Sequence, residues 1–150
     1  MALVVGLTVR VKDGCPVLRG VVIDEADQTT IARRFEYAAT AGTEPEVQLL
    51  DVVHALSSQL QVQPIRAAAL MEAGFAARAG LTKETKLRLR GEGAAVGVLR
   101  GATHLVTLGD KRVLGNVVGL TGPELVTKGK ALAGTADADA AGAALVACAL

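Results

Sequence analysis

Hydrophobic positions along this chain fall in blocks whose spacing changes from one region to the next. Ala2 to Val11 is apolar and rich in β-branched residues, which predicts a strand, and Lys12-Asp13-Gly14 ends it with a turn signal. Pro16 to Asp24 predicts a second strand and Glu25 to Gln28 a polar turn. Thr29 to Ala38 alternates as a third strand would. Three strands joined by short turns predict an antiparallel meander.

The period then lengthens. Thr43 and Glu46 have the spacing of a capping box, in which a hydroxyl and a carboxylate satisfy reciprocal backbone donors. Leu49, Val53, Leu56 and Leu60 follow at spacings that place them on one helical face. After Pro64, Ile65 to Glu72 predicts a short buried strand. Thr82 to Arg100 predicts a second helix, opened by Thr82 and charged along one side. Gly91, Gly93 and Gly97 lower its intrinsic propensity and permit close approach of a neighbouring element. His104 to Leu108 predicts another short strand, and Gly109 to Gly122 is glycine-rich and basic. Pro123 to Ala133 predicts a helix with proline at its start, and Asp137 to Leu150 an alanine-rich closing helix. The order β-β-β-α-β-α-β-α-α predicts an α/β fold, a mixed sheet with helices on both faces. No repeat or linker divides the chain, so residues 1–150 are read as one domain.

Composition narrows the function classes. The chain is 51% hydrophobic, which fits a globular fold. Its net charge of +1 provides no global attraction to polyanions, so any basic binding surface must be local. Phe35, Tyr37 and Phe75 are its only aromatics, which disfavours a binder that works by stacking bases of a single strand. Cys15 and Cys148 stand at opposite ends and form no CxxC pair; they are read as reduced thiols of a cytoplasmic protein, a single disulfide being the alternative. His54 and His104 are isolated, so a zinc site is not expected. No signal peptide and no membrane-spanning run is expected. Gly119-Leu120-Thr121-Gly122 lacks the Gly-Lys-Ser/Thr ending of a P-loop. Thr8, Ser57 and Ser58 lack His and Asp partners at the spacing of a serine hydrolase.

Four segments resemble, in order, those of RuvC Holliday-junction resolvases. Val4-Val5-Gly6-Leu7-Thr8 is similar to the family's hydrophobic-Gly-Ile-Asp-Pro-Gly opening. The segment from Gln63 to Glu72 is similar to the strand that ends in a catalytic glutamate. Asn116 to Glu124 resembles the segment before the family's basic helix, and Ala138-Asp139-Ala140-Ala141-Gly142-Ala143 resembles its terminal Asp-Ala-Ala-Asp-Ala motif. The resemblance spans nearly the whole chain and implies an RNase H-like mixed five-stranded sheet. It also implies carboxylates that hold two divalent metals, a clamp that activates the attacking water and stabilises the leaving oxygen. Hard Mg²⁺ or Mn²⁺ would be the cofactor.

Only part of that set is present. Glu72 matches the glutamate and Asp139 the first terminal aspartate, whereas Thr8 and Gly142 stand at the other two positions. The family's lysine at the start of the basic helix is missing too: Leu125 follows Glu124, with Lys128 and Lys130 within two turns. Asp137 is a substitute ligand to consider, as is Asp13 in the first turn. Taken alone, Glu72 is a polar residue at a strand end, and Asp139 an acid in the first turn of a helix, where it complements the dipole. Their joint occurrence at both family positions carries the functional reading.

Lys83, Lys86, Arg88 and Arg90 could track phosphates, or form an ordinary solvated helix face on which Glu84 and Arg88 pair. Lys111-Arg112 and Lys128 with Lys130 form two further basic groups. Three functions stay open. The first is a homodimeric RuvC-like domain with an incomplete metal site, no cofactor or only weak Mg²⁺/Mn²⁺, that binds branched or duplex DNA or serves as an assembly partner. The second is an active metal-dependent endodeoxyribonuclease using Glu72, Asp139 and Asp137. The third is a protein-interaction module that binds no nucleic acid.

Overall fold

The computed structural model describes residues 2–74 and 81–150; Phe75 lies outside them. Strands β1 (Leu3–Lys12), β2 (Cys15–Asp24) and β3 (Ile31–Ala38) form the expected antiparallel meander. The β1–β2 hairpin closes on the two-residue loop Asp13-Gly14, with φ of 52° and 73°. Positive φ at both positions is what a loop of this length needs to match strand twist, and an Asp-Gly pair accepts it at low cost. Helix α1 (Pro45–Val62) crosses to β4 (Ile65–Met71), parallel to β1, and α2 (Lys83–Ala102) leads to β5 (Leu105–Gly109), parallel to β4. The sheet order is β3-β2-β1-β4-β5. Helices α3 (Lys111–Val117), α4 (Gly122–Ala133) and α5 (Ala138–Ala147) complete the described chain. None of its helices is long and apolar enough to cross a membrane.

Both faces of the sheet are covered, so β1 and β4 read as nearly unbroken apolar runs. The period of two then sorts their side chains. Val5, Leu7 and Val9 pack with Val52 and Leu56 of α1 and Ala95 and Leu99 of α2. Val4, Ala67, Ala69 and Met71 pack on the other side, against Leu114, Leu125 and the alanines of α5. Helix α5 is buried nearly all round, which its Ala-rich sequence allows. It rests directly on β1 at Gly6, where an added Cβ would run into the backbone of Ala140 and Ala144.

Several local expectations are corrected. The capping box of Thr43 and Glu46 does not form: α1 starts at Pro45, whose fixed φ suits the first helical turn, and the Thr43 hydroxyl donates to the Thr40 carbonyl instead. The buried stripe of α1 is Gln48, Val52, Leu56 and Leu60, one residue back from Leu49 and Val53. Gln48 tolerates burial because its amide donates to the Thr40 carbonyl at 3.3 Å. Within the stretch read as glycine-rich and basic lies α3, capped by Asp110, whose carboxylate accepts from the amides of Arg112 and Val113 at 2.9 Å each. Of the glycines of α2, Gly91 approaches β1, where a Cβ would lie 2.9 Å from the Val9 side chain, while Gly93 and Gly97 face open space.

Two substitutions separate these roles. Gly6→Ala forces α5 off the sheet and should cost about 3 kcal/mol or more, toward the upper end of overpacking effects. Gly93→Ala sits in an exposed helix interior and should stabilise by about 0.5–1 kcal/mol. Urea unfolding of both variants checks the signs.

Candidate functional site

Because β1 and β4 are parallel, their carboxyl ends open on the same side, where open α/β sheets place their ligand sites. A cavity of about 430 Å³ lies there. Its charged lining comprises Arg10, Glu72, Asp110, Lys111, Arg112 and Asp139. The fold therefore brings Glu72, Asp139 and the Lys111-Arg112 pair into one cavity. Lys128 borders a different depression, beside Gln28 and Thr29, and Lys130 lies exposed on α4.

Arg10, which sequence reasoning passed over, reaches three acceptors at this cavity. β1 continues beyond its pairing with β4, which ends at Leu7 opposite Leu70. Positions 4, 6, 8 and 10 share the face toward α5, so Arg10 is the first residue on that face beyond Thr8. Its guanidinium donates to the Val9 carbonyl at 3.0 Å and the Met71 carbonyl at 3.4 Å, and to the Asp139 carboxylate at 2.9 Å. Asp139 lies in the first turn of α5, so it is a first-turn acid and an ion-pair partner at once. Thr8 is buried. Gly142 is buried as well, and a Cβ there would lie 3.3 Å from the Leu125 carbonyl and 3.4 Å from the Met71 methyl.

A second ion pair, this one buried, lies near enough to Glu72 to feel its charge. The side chains of Arg88 and Glu92 are 10% and 5% exposed, so Arg88 is not on a solvated face available to phosphates. It donates to the Ala73 carbonyl at 2.7 Å, just after β4, and lies 3.7 Å from Glu92 rather than pairing with Glu84. Among the described residues neither carboxylate oxygen of Glu92 has a hydrogen-bond partner of good geometry. Burial pushes the Glu92 carboxyl up; Arg88 opposes the shift and the Glu72 charge adds to it. Sequence reasoning assigned Glu92 no role. The signal available was the i,i+4 spacing from Arg88 on a face next to the buried Gly91.

Lys83, Lys86 and Arg90 are exposed on α2. Asp137, the substitute ligand considered from sequence, is held on the other side: Arg19 and Arg34 each reach its carboxylate at 3.3 Å. Its side chain is therefore committed, which is why it provides no side-chain cap to α5. Asp13 sits in the exposed hairpin loop and borders a neighbouring depression, beside Lys12 and Cys15. Cys15 and Cys148 are both free, and burial pushes the Cys148 thiol up to about 11.

No protein-family model and no curated protein matches the sequence. Solved structures do match the fold. Thermus thermophilus RuvC in complex with a Holliday junction substrate superposes with a TM-score of 0.70 at 11% identity, over 97% of this chain and 92% of that one. A second Thermus thermophilus RuvC structure gives 0.65 at 14% identity, over 96% and 92%. The chain has the RuvC-type RNase H-like fold.

At the four positions where the resemblance described above implies carboxylates, this chain has Thr8, Glu72, Asp139 and Gly142. These residues do not fit a pair of divalent cations. One of the two remaining carboxylates, Asp139, is taken up by a guanidinium, and no group of three or more potential ligand side chains exists among the described residues. Asp110, the third acid on the cavity, has its carboxylate engaged in capping α3.

The raised Glu92 carboxyl makes a pH-dependent prediction. A group bound more tightly to its proton in the folded state contributes stability that is complete below its unfolded pKa. That stability is lost as pH rises through the folded value. Glu92→Gln should therefore gain stability relative to the parent as pH rises from about 4.3, the ordinary glutamate value, through the raised one. Chemical unfolding of both proteins across that window measures the difference; parallel curves would contradict it.

Proposed function

We propose that this chain uses the RuvC-type fold to bind duplex or branched nucleic acid without cutting it. The observation that carries this reading is the lining of the cavity at the ends of β1 and β4. Lys111 and Arg112 border it as cations not already paired with Asp139, while Thr8 and Gly142 leave the carboxylate set incomplete. Contacts from Arg and Lys to phosphates supply the sequence-independent share of nucleic-acid affinity and set orientation. Lys83, Lys86 and Arg90, exposed on α2, are further candidate phosphate contacts, whereas Lys128 borders a separate depression beside the β2–β3 turn and lies apart from this surface. The Thermus thermophilus RuvC of the same fold was solved with a Holliday junction, which supports a branched ligand.

Gel shifts of a four-way junction and a linear duplex of equal length test this. Lys111→Ala with Arg112→Ala should weaken binding roughly tenfold and lower the salt slope by about 2, close to 0.9 per lost phosphate contact. Neither substrate should be cut in Mg²⁺ or Mn²⁺. Absence of binding at low salt would overturn the reading. Cleavage that disappears in Glu72→Gln would establish the nuclease alternative.

A second observation favours an assembly role beside this one. A groove of about 520 Å³ between α1 and α2 is lined by Leu60, Ile65, Val98 and the glycines 97 and 101. The glycines 93, 97 and 101 recur every four residues with open space above them, which suits close approach of a second helix. The expected homodimer would use this face. Sedimentation velocity should then show a dimer that Gly97→Arg converts to monomer; a monomeric parent would remove the homodimer.

A further inference from the structure

We propose that Arg10 is the resident cation of this site: its guanidinium holds Asp139 and the end of β4 together and keeps divalent metal ions out. The inference rests on the geometry around Arg10 and does not depend on nucleic-acid binding. Three features converge on it. Arg10 is the first residue beyond Thr8 on the α5 face of β1, at the point where β4 has ended and β1 pairs only with β2. Its guanidinium spans the gap this leaves. One nitrogen lies over the carbonyls of Val9 and Met71, and another over the carboxylate of Asp139. These acceptors come from β1, β4 and α5, so one planar cation joins all three elements.

The acceptors are oxygens, the ligand type that hard divalent cations also take. A divalent ion would sit about 2.1 Å from a carboxylate oxygen, and the guanidinium already lies 2.9 Å from the same carboxylate. The two cations would face each other across one carboxylate, while Lys111 and Arg112 offset the charges of Glu72 and Asp110 along the same cavity. Arginine suits the role because it stays charged at every relevant pH and its fork of donors serves several oxygens at once. The pair is partly open, at 32% and 41% side-chain exposure. Its contribution to stability is therefore modest. Its consequence lies in what the site can hold.

If Arg10 keeps metal out, removing it should let metal in. Mn²⁺ binding by calorimetry, with no nucleic acid present, is compared in the parent, Arg10→Ala, Arg10→Gln and the double variant Arg10→Ala with Asp139→Asn. The parent should show no saturable binding up to millimolar Mn²⁺. Arg10→Ala should bind at least tenfold more tightly, and the added Asp139→Asn should abolish the gain. Arg10→Gln keeps most of the volume and two donors without the charge. It should behave as Arg10→Ala does, and it answers the question if the alanine variant does not fold, with circular dichroism verifying each fold. Parent binding as tight as that of the variants would overturn the proposal. So would variants that gain nothing, or a gain insensitive to Asp139→Asn. The gel shifts above stand or fall separately, because they read nucleic acid and this experiment reads only the ion.

Discussion

The contact of α5 with β1 at Gly6 is the constraint on which the rest of this structure depends. A side chain at that position would collide with the backbone of Ala140 and Ala144, so glycine is what permits the helix to lie directly on the central strand. Gly129 does the same for α4, where a Cβ would run into Ala138. With α5 held this close, its first turn falls beside the end of β1. Asp139 then lies within reach of a side chain only two residues beyond the buried Thr8. The electrostatics of the site follow from this packing contact: Arg10 meets Asp139 because the alanine face of α5 leaves nothing thicker between helix and sheet.

Charge is distributed around α5 in a way that gives each acid its own cation. Asp139 belongs to Arg10, while Asp137 belongs to Arg19 of β2 and Arg34 of β3. Two carboxylates two residues apart are thus anchored to different strands, Asp139 to β1 and Asp137 to β2 and β3. Glu92 differs. Buried beside Arg88 without a well-formed hydrogen bond among the described residues, it carries an incompletely compensated charge close to Glu72. The cavity at the ends of β1 and β4 is bordered by oppositely charged groups that compensate one another locally, rather than by converging carboxylates.

The strand meander, the element order and the two-sided sheet were legible because they are written in short-range periodicity and in an Asp-Gly turn. Of the cavity's lining, the sequence pointed to Glu72, Asp139 and the Lys111-Arg112 pair, which the fold brings together. Arg10 escaped notice because a single arginine near the end of a strand looks like an edge residue; its importance comes from β4 ending before β1 does, which is a matter of register. Arg88 was misplaced for the opposite reason. A basic residue in a charged helix reads as solvated until the glycine at 91 brings that stretch against β1. α3 was missed because glycine and valine obscure its seven residues, although Asp110 followed by Lys111-Arg112 was a usable capping signal. The capping box was assigned to the wrong helix: Thr121 and Glu124 form one at α4, whereas Thr43 and Glu46 do not at α1.

The alanine-rich character of α5 has a mechanical side. Alanine has no side-chain torsion, so a helix packed through alanines and glycines has no rotamers with which to absorb a disturbance. Pressure applied at its buried face must be taken up by displacement of the helix as a body. Asp137 and Asp139 would move with it together, pulling on Arg19, Arg34 and Arg10 in concert. In this chain α5 acts less as a filler of the core than as a stiff lever, with arginines of three strands attached at one end.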